Sequence, residues 1–274
     1  MRILVLVWSL LLSGIAQASE PSLTVTVGGE TREFTRAALL ARGDATTIEV
    51  ANDITYRTKM SYRAVPVAAL LAGMTLPADS VIEAVALDGF IAQLPLDLVL
   101  NADESKAVAW LAIEQPDHPW PPIPGKDVSA GPFYIVWTGA EVGSVRSEQW
   151  PYQMAKLESQ QSPAARWPLL AVDPAMPATD PIRAGQSLYV VQCLTCHRLN
   201  GAGASDVGPD LNLPMNPTEY LTASGLHDLI RNPKAVRTWP AQAMPPFPPD
   251  YLSDREIDRV IDYLRHMAGR KVAK

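Results

Sequence analysis

The sequence predicts two folded units of different class, an α+β sheet unit followed by an all-α unit. Three observations lead there. Up to about residue 158, short apolar runs alternate with turn pairs such as Gly28-Gly29 and Asp88-Gly89, the pattern of strands and hairpins. From about residue 181 the apolar residues recur at helical spacing. Between them lies SQQSPAARWPLLAVDPAMPATDP, in which Pro163, Pro168, Pro174, Pro177 and Pro181 withhold backbone donors and disfavour helix at each preceding residue. This divides the chain into a leader over 1–18, a sheet unit over 19–158, an extended linker over 159–180 and a helical unit over 181–274. Trp167, Leu169 and Leu170 are the linker residues able to pin it to one unit.

The leader is read from Arg2, the apolar run Ile3 to Leu12 broken only by Ser9, and the small residues of Ala16-Gln17-Ala18. These are the parts of a secretory signal peptide, so cleavage after Ala18 and a periplasmic location are expected. The apolar core holds about ten residues, against the ~20 of a spanning helix, and no later stretch is long and apolar enough to span. Lysine and arginine number 23 against 29 acidic residues, for a net charge of −6, with no basic run. That balance excludes nucleic acid as a partner and names none.

In the sheet unit, Leu23, Val25 and Val27 alternate before Gly28-Gly29 turns the chain back toward Phe34. Thr35 is placed to cap a short helix over Arg36 to Ala41. Thr46 to Val50 reads as strand, and Pro66 as the first helical residue ahead of Val67 to Ala72. Val81 to Ala86 and Phe90 to Leu94 flank the Asp88-Gly89 turn; Ala107 to Ile113 and Phe133 to Trp137 are further apolar strands. Asp53, Tyr56, Arg57, Lys59, Tyr62 and Arg63 form a polar-aromatic cluster, read as an exposed strand face, and His118 as a surface-loop residue. In the helical unit, Ile182 to Val191 forms the first helix. Shorter ones are expected around Thr218 to Thr222 and Leu226 to Ile230. The last is clearest: Ser253 and Glu256 have the form of a capping box, Ile257, Val260, Ile261 and Leu264 follow on one face, and Gly269 stops it.

The chemistry concentrates in VVQCLTCHRLNG, which holds both cysteines of the chain, Cys193 and Cys196, and then His197. In an exported chain two cysteines raise the reading of a disulfide. A thioredoxin-type motif follows a strand, whereas this one follows a helix. A structural zinc site takes about four ligands, and the remaining histidines, His118, His227 and His266, show no finger spacing. Cys-x-x-Cys-His is the attachment motif of covalently held haem. Two thiols one helical turn apart each add to a vinyl group on one porphyrin edge, and the adjacent histidine then lies beneath the iron.

The segment from about Asp180 to Arg270 resembles class I cytochrome c. Gly185 and Tyr189 match the glycine and aromatic of the family's first helix, and Val260 to Leu264 the aromatic-bearing part of its last helix. Gly208-Pro209-Asp210-Leu211 matches the loop whose proline carbonyl accepts a hydrogen bond from the proximal histidine, and Ala243-Met244-Pro245 the sixth-ligand loop. The resemblance implies one haem c on Cys193 and Cys196, His197 and Met244 as axial ligands, and Pro209 orienting His197. Met215, Met267 and His227 are the alternatives for the sixth position, and Trp239, Tyr220 and Phe247 are candidates to line the pocket.

YRAVPVAALL, ALDGFIAQLPLDLVL, AVAWLAIE and AGPFYIVW look like the molybdopterin-binding domain of the sulfite-oxidase family. That family holds its metal with a cysteine after an early strand, where this chain has TIEVAN. The unit is therefore expected to be a relative without the molybdenum thiolate, used for partner docking. The expected function is a periplasmic one-haem electron carrier between a dehydrogenase and a cytochrome or oxidase. The alternatives are a dehydrogenase whose sheet unit binds substrate or a pterin, and a haem sensor or peroxidase with an open sixth position.

Overall fold

The computed structural model describes residues 20–240 and 242–272. The expected leader and its cleavage point lie outside them. The described chain starts with the hairpin β1 (Ser22–Val27) and β2 (Glu30–Thr35), with Leu23, Val25 and Val27 all buried. Gly28 and Gly29 both take positive φ, as the tight turn requires, and a Cβ on Gly28 would come within 2.5 Å of the Thr75 carbonyl oxygen. Helix α1 (Arg36–Leu40) is capped by the Thr35 hydroxyl, which accepts from the Ala38 amide. Strands β3 (Thr46–Asp53) and β4 (Thr58–Pro66) lead to α2 (Val67–Leu71). Pro66 ends β4 and caps α2 instead of opening it. Next come β5 (Ser80–Ala86), β6 (Ile91–Pro95), α3 (Leu96–Val99), β7 (Val108–Ile113) and β8 (Phe133–Thr138). A 3₁₀ turn at Ser147–Gln149 precedes β9 (Met154–Gln161).

These strands form two sheets. One has the order β2-β1-β9-β5-β6 and is antiparallel except for the parallel pair β1/β9; the other is antiparallel, in the order β3-β4-β7-β8. The two sheets share one apolar core, in which Phe133, Ile135 and Val136 of β8 are sealed from solvent.

The polar-aromatic cluster is the main departure from expectation in this region. Asp53, Tyr56 and Tyr62 are buried, not exposed. Asp53 accepts from the amides of Thr55 and Tyr56 and from the phenols of Tyr62 at 2.8 Å and Tyr134 at 3.3 Å. Burial raises its pKa, and these donors oppose the rise. The carboxylate acts as a buried cross-link between the β3–β4 turn and β8. Arg57 and Lys59 of the same stretch do lie on the outside.

Strand β9 runs past residue 158, and the proline-rich segment after it is ordered into α4 (Pro163–Arg166) and a 3₁₀ turn at Pro168–Leu170. It is not an extended spacer. Arg166 bonds the buried Glu83 of β5 at 2.9 Å, while Leu170 is enclosed in a second apolar core. The segment is thus anchored at one end to the sheet and at the other to the helices; Leu169 is exposed.

The second core belongs to α5 (Pro181–Gln192), α6 (Pro217–Tyr220), α7 (Ala223–Arg231), α8 (Pro233–Val236) and α9 (Asp254–Ala268). Asp180 caps α5 through the Ile182 amide at 2.9 Å, and Glu256 reaches back to the Ser253 amide at 2.9 Å at the start of α9. Helices α5 and α9 cross at Gly185, where a Cβ would lie 2.1 Å from the Arg259 carbonyl oxygen. One turn on, Tyr189 and Tyr263 pack ring against ring, with centroids 5.3 Å apart.

Candidate haem-attachment site

Three layers of local structure build the site. The first is the end of α5. The amides of Cys193 and Leu194 both bond to the Tyr189 carbonyl at 2.9 Å, and those of Cys196 and His197 bond to the Cys193 carbonyl. The chain continues turning beyond α5, so the two cysteines sit one turn apart and His197 follows on the same turn. Both thiols are free. Burial is the first cause raising each thiol to about 12, and the Glu148 carboxylate adds to it. Such thiols are poor nucleophiles and poor thiolate ligands at neutral pH, unlike those of a redox-exchange motif. Among the described residues, no group of three or more His, Cys, Asp or Glu is placed to hold a metal ion.

The second layer is the loop after the motif. The Gly208 amide bonds the Cys196 carbonyl at 2.7 Å, and the Leu211 amide bonds the Arg198 carbonyl at 2.7 Å. This brings the Pro209 carbonyl within 2.8 Å of His197 Nδ1. A carbonyl only accepts, so the proton sits on Nδ1 and the Nε2 lone pair is left free. Gly208 permits this approach, because a Cβ there would stand 2.6 Å from the imidazole ring.

Buried asparagines hold that loop. Asn212 donates to Asn200 Oδ1 and to the Met267 carbonyl, and Asn216 donates to Asn212 Oδ1 and the Leu264 carbonyl. Both carbonyls lie in the last two turns of α9, so the asparagines fasten the loop to the end of that helix. Asp210 adds bonds to the amides of Asn200, Gly201, Asn212 and Leu213. Sequence reading missed this lattice. The signal for it was the density of asparagine and aspartate between residues 200 and 216.

The third layer comes from the sheet unit. The Ile91 amide bonds the Thr195 carbonyl, which lies between the two cysteines, at 3.3 Å. Ser205 donates to the Gly89 carbonyl. The Glu148 amide donates to Gln192 Oε1, and the Gln192 side chain donates to Ser147. The β5–β6 turn and the 3₁₀ turn at Ser147–Gln149 therefore lie against the motif.

Of the sixth-ligand candidates, Met244 is partly buried and packs against the second core. Met215 is 52 % exposed, and Met267 is enclosed in α9 packing. His227 faces Asp254 at 3.5 Å in a shallow groove with Asp228, Asp258 and Arg265, none of them motif residues. Tyr220 and Trp239 are largely exposed, while Phe247 is in the second core. His118 sits on the surface beside Asp117.

The donor set suits haem c: paired neutral thiols, an imidazole with a free Nε2, and a thioether. Two buried polar groups beside it have no protein partner among the described residues, the Thr195 hydroxyl between the cysteines and the Gln242 amide near Met244.

Residues 180–264 match the family described as cytochrome C oxidase, cbb3-type, subunit III. The match supports a C-terminal c-type cytochrome domain. Such a domain implies haem c, electron transfer and redox partners. The match covers less than half the chain and leaves the sheet unit outside it. No curated protein matches the chain. No helix among the described residues is long and apolar enough to cross a membrane.

Proposed function

We propose that the protein is a periplasmic one-electron carrier with a single haem c, joined to Cys193 and Cys196 and ligated by His197 and Met244. The observation that carries this reading is the bond between His197 Nδ1 and the Pro209 carbonyl, made on the same turn that presents two unbridged thiols. It orients the ring, fixes the tautomer and makes Nε2 more basic, as partners of metal-binding histidines do. Met244, in a loop packed against the second core, offers a thioether that favours the reduced metal. The group would supply reversible one-electron chemistry when bound; with His197 and Met244 both holding its iron, no position would be left for substrate.

The units in this proposal are a leader over 1–18, a docking unit over 19–158, a joining segment over 159–180 and the cytochrome domain over 181–274. The electron donor is a dehydrogenase, and the acceptor is another cytochrome or an oxidase. The docking unit is a sulfite-oxidase-like fold without the molybdenum thiolate: β3, Thr46–Asp53, holds no cysteine. Stoichiometric iron without molybdenum in the purified protein agrees with the carrier; stoichiometric molybdenum would favour the dehydrogenase alternative.

The ligand assignment is tested by Met244→Ala. The oxidised variant is expected to lose the weak far-red band of thioether-to-iron ligation, to lower its reduction potential and to bind carbon monoxide rapidly when reduced. Retention of that band would move the sixth ligand to another residue.

A further inference from the structure

Glu148 is a sheet-unit residue placed at the haem motif. It lies on the 3₁₀ turn Ser147–Gln149, and its amide donates to Gln192, the residue before Cys193. Its side chain is half-buried and makes no ion pair among the described residues. Its one side-chain partner is the Ser147 hydroxyl, at a long 3.5 Å. The neighbouring cation, Arg146, is turned away to Glu256 at 2.7 Å. From the α5 side the carboxylate is faced by Cys193 and Cys196. From the segment before α9 it is faced by Tyr251, which donates to the Ile54 carbonyl and carries Arg57 over its ring, with Asp250 beside it. Strand β6 brings no titratable group, and the turn before it brings Asp88, which acts on Cys196.

We propose that Glu148 is a redox-linked proton site: its carboxylate takes up one proton from solvent when the cytochrome site gains one electron, and releases it when the electron leaves. This rests on the haem reading above. The physical basis is that a half-buried carboxylate without an ion-pair partner is costly, and that its turn is seated on the residue before the haem motif, where the redox charge would change. The oxidised site carries one more positive charge than the reduced site. The ionised carboxylate is therefore favoured in the oxidised protein and the neutral acid in the reduced protein. One electron and one proton enter together, so the charge of the enclosed region is unchanged. Desolvation pushes the Glu148 carboxyl up to about 7, opposed by the Ser147 hydroxyl. The exchange thus falls in the neutral range, where an ordinary glutamate is ionised in both states.

The test is a spectroscopic redox titration of the holoprotein from about pH 5 to pH 9, a range centred on the raised value. The wild-type midpoint is expected to fall with pH across the neutral region, with a limiting slope of one tenfold change in the equilibrium per pH unit, about 59 mV. Glu148→Gln should give a flat profile near the acid limb of the wild type. Glu148→Asp should keep a slope displaced along the pH axis, and Asp88→Asn should leave it in place. A flat wild-type profile overturns the proposal, and so does a Glu148→Gln profile that keeps the slope. Pigment that leaves the wild-type protein in acid–acetone overturns the haem reading itself. Coloured protein with a flat midpoint overturns only the role of Glu148.

Discussion

Replacing Gly185 by alanine is expected to lower the thermal unfolding midpoint of the helical unit by about 10 °C. Two effects oppose each other. Alanine in mid-helix gains about 1 kcal/mol of propensity over glycine. Against that, the new Cβ would lie 2.1 Å from the Arg259 carbonyl oxygen, 2.8 Å from its carbon and 3.0 Å from Tyr263 Cβ. These are backbone and Cβ atoms, which cannot swing aside. The helices must separate, and the Tyr189–Tyr263 contact loosens with them. Overpacking of this kind costs about 3 kcal/mol, so it outweighs the propensity gain. Circular dichroism in the haem absorption region of the holoprotein follows this unit alone. An unchanged or raised midpoint would mean that the crossing is looser than the structure shows.

Replacing Cys193 and Cys196 together by alanine is expected to abolish covalent pigment. Each single replacement should leave one thioether and a reduced yield. The reason lies in the local turn. Both thiols are held on one side of it by bonds to the Tyr189 and Cys193 carbonyls, which alanine leaves intact. The double variant therefore keeps the fold of the motif while losing the attachment chemistry. Haem-dependent peroxidase staining after denaturing electrophoresis reads the result directly. Stain that persists in the double variant would place the attachment elsewhere.

What was legible in the sequence was local. The motif, the cap at Thr35, the capping box at Ser253 and Glu256, and the Gly28-Gly29 turn each declare themselves within a few residues, because one turn of chain decides them. The pairing of Gly185 with the last helix was legible only through a family resemblance, since its partner carbonyl is 74 positions away. The rest depends on distant chain. Strand β9, MAKLESQQ, has too few apolar residues to show a strand period, yet it is central in its sheet, paired with β1 on one side and β5 on the other. Neighbours impose its conformation. Asp53 reads as a surface residue because an aspartate is normally solvated, and only the convergence of Tyr62 and Tyr134 makes its burial tolerable. Glu148 is undistinguished in SEQWPYQ; what singles it out is the seating of its turn on α5, 44 residues on. The proline-rich segment looked like a spacer because prolines suppress regular helix. Arg166 and Leu170 instead tie it to the two cores.

The most direct measurement on the central claim is acid–acetone extraction of the denatured wild-type protein, with iron counted in both phases. Colour and one iron per chain staying with the precipitated polypeptide is the predicted result. A red solvent phase over colourless protein, or a purified chain that never held pigment, would contradict it.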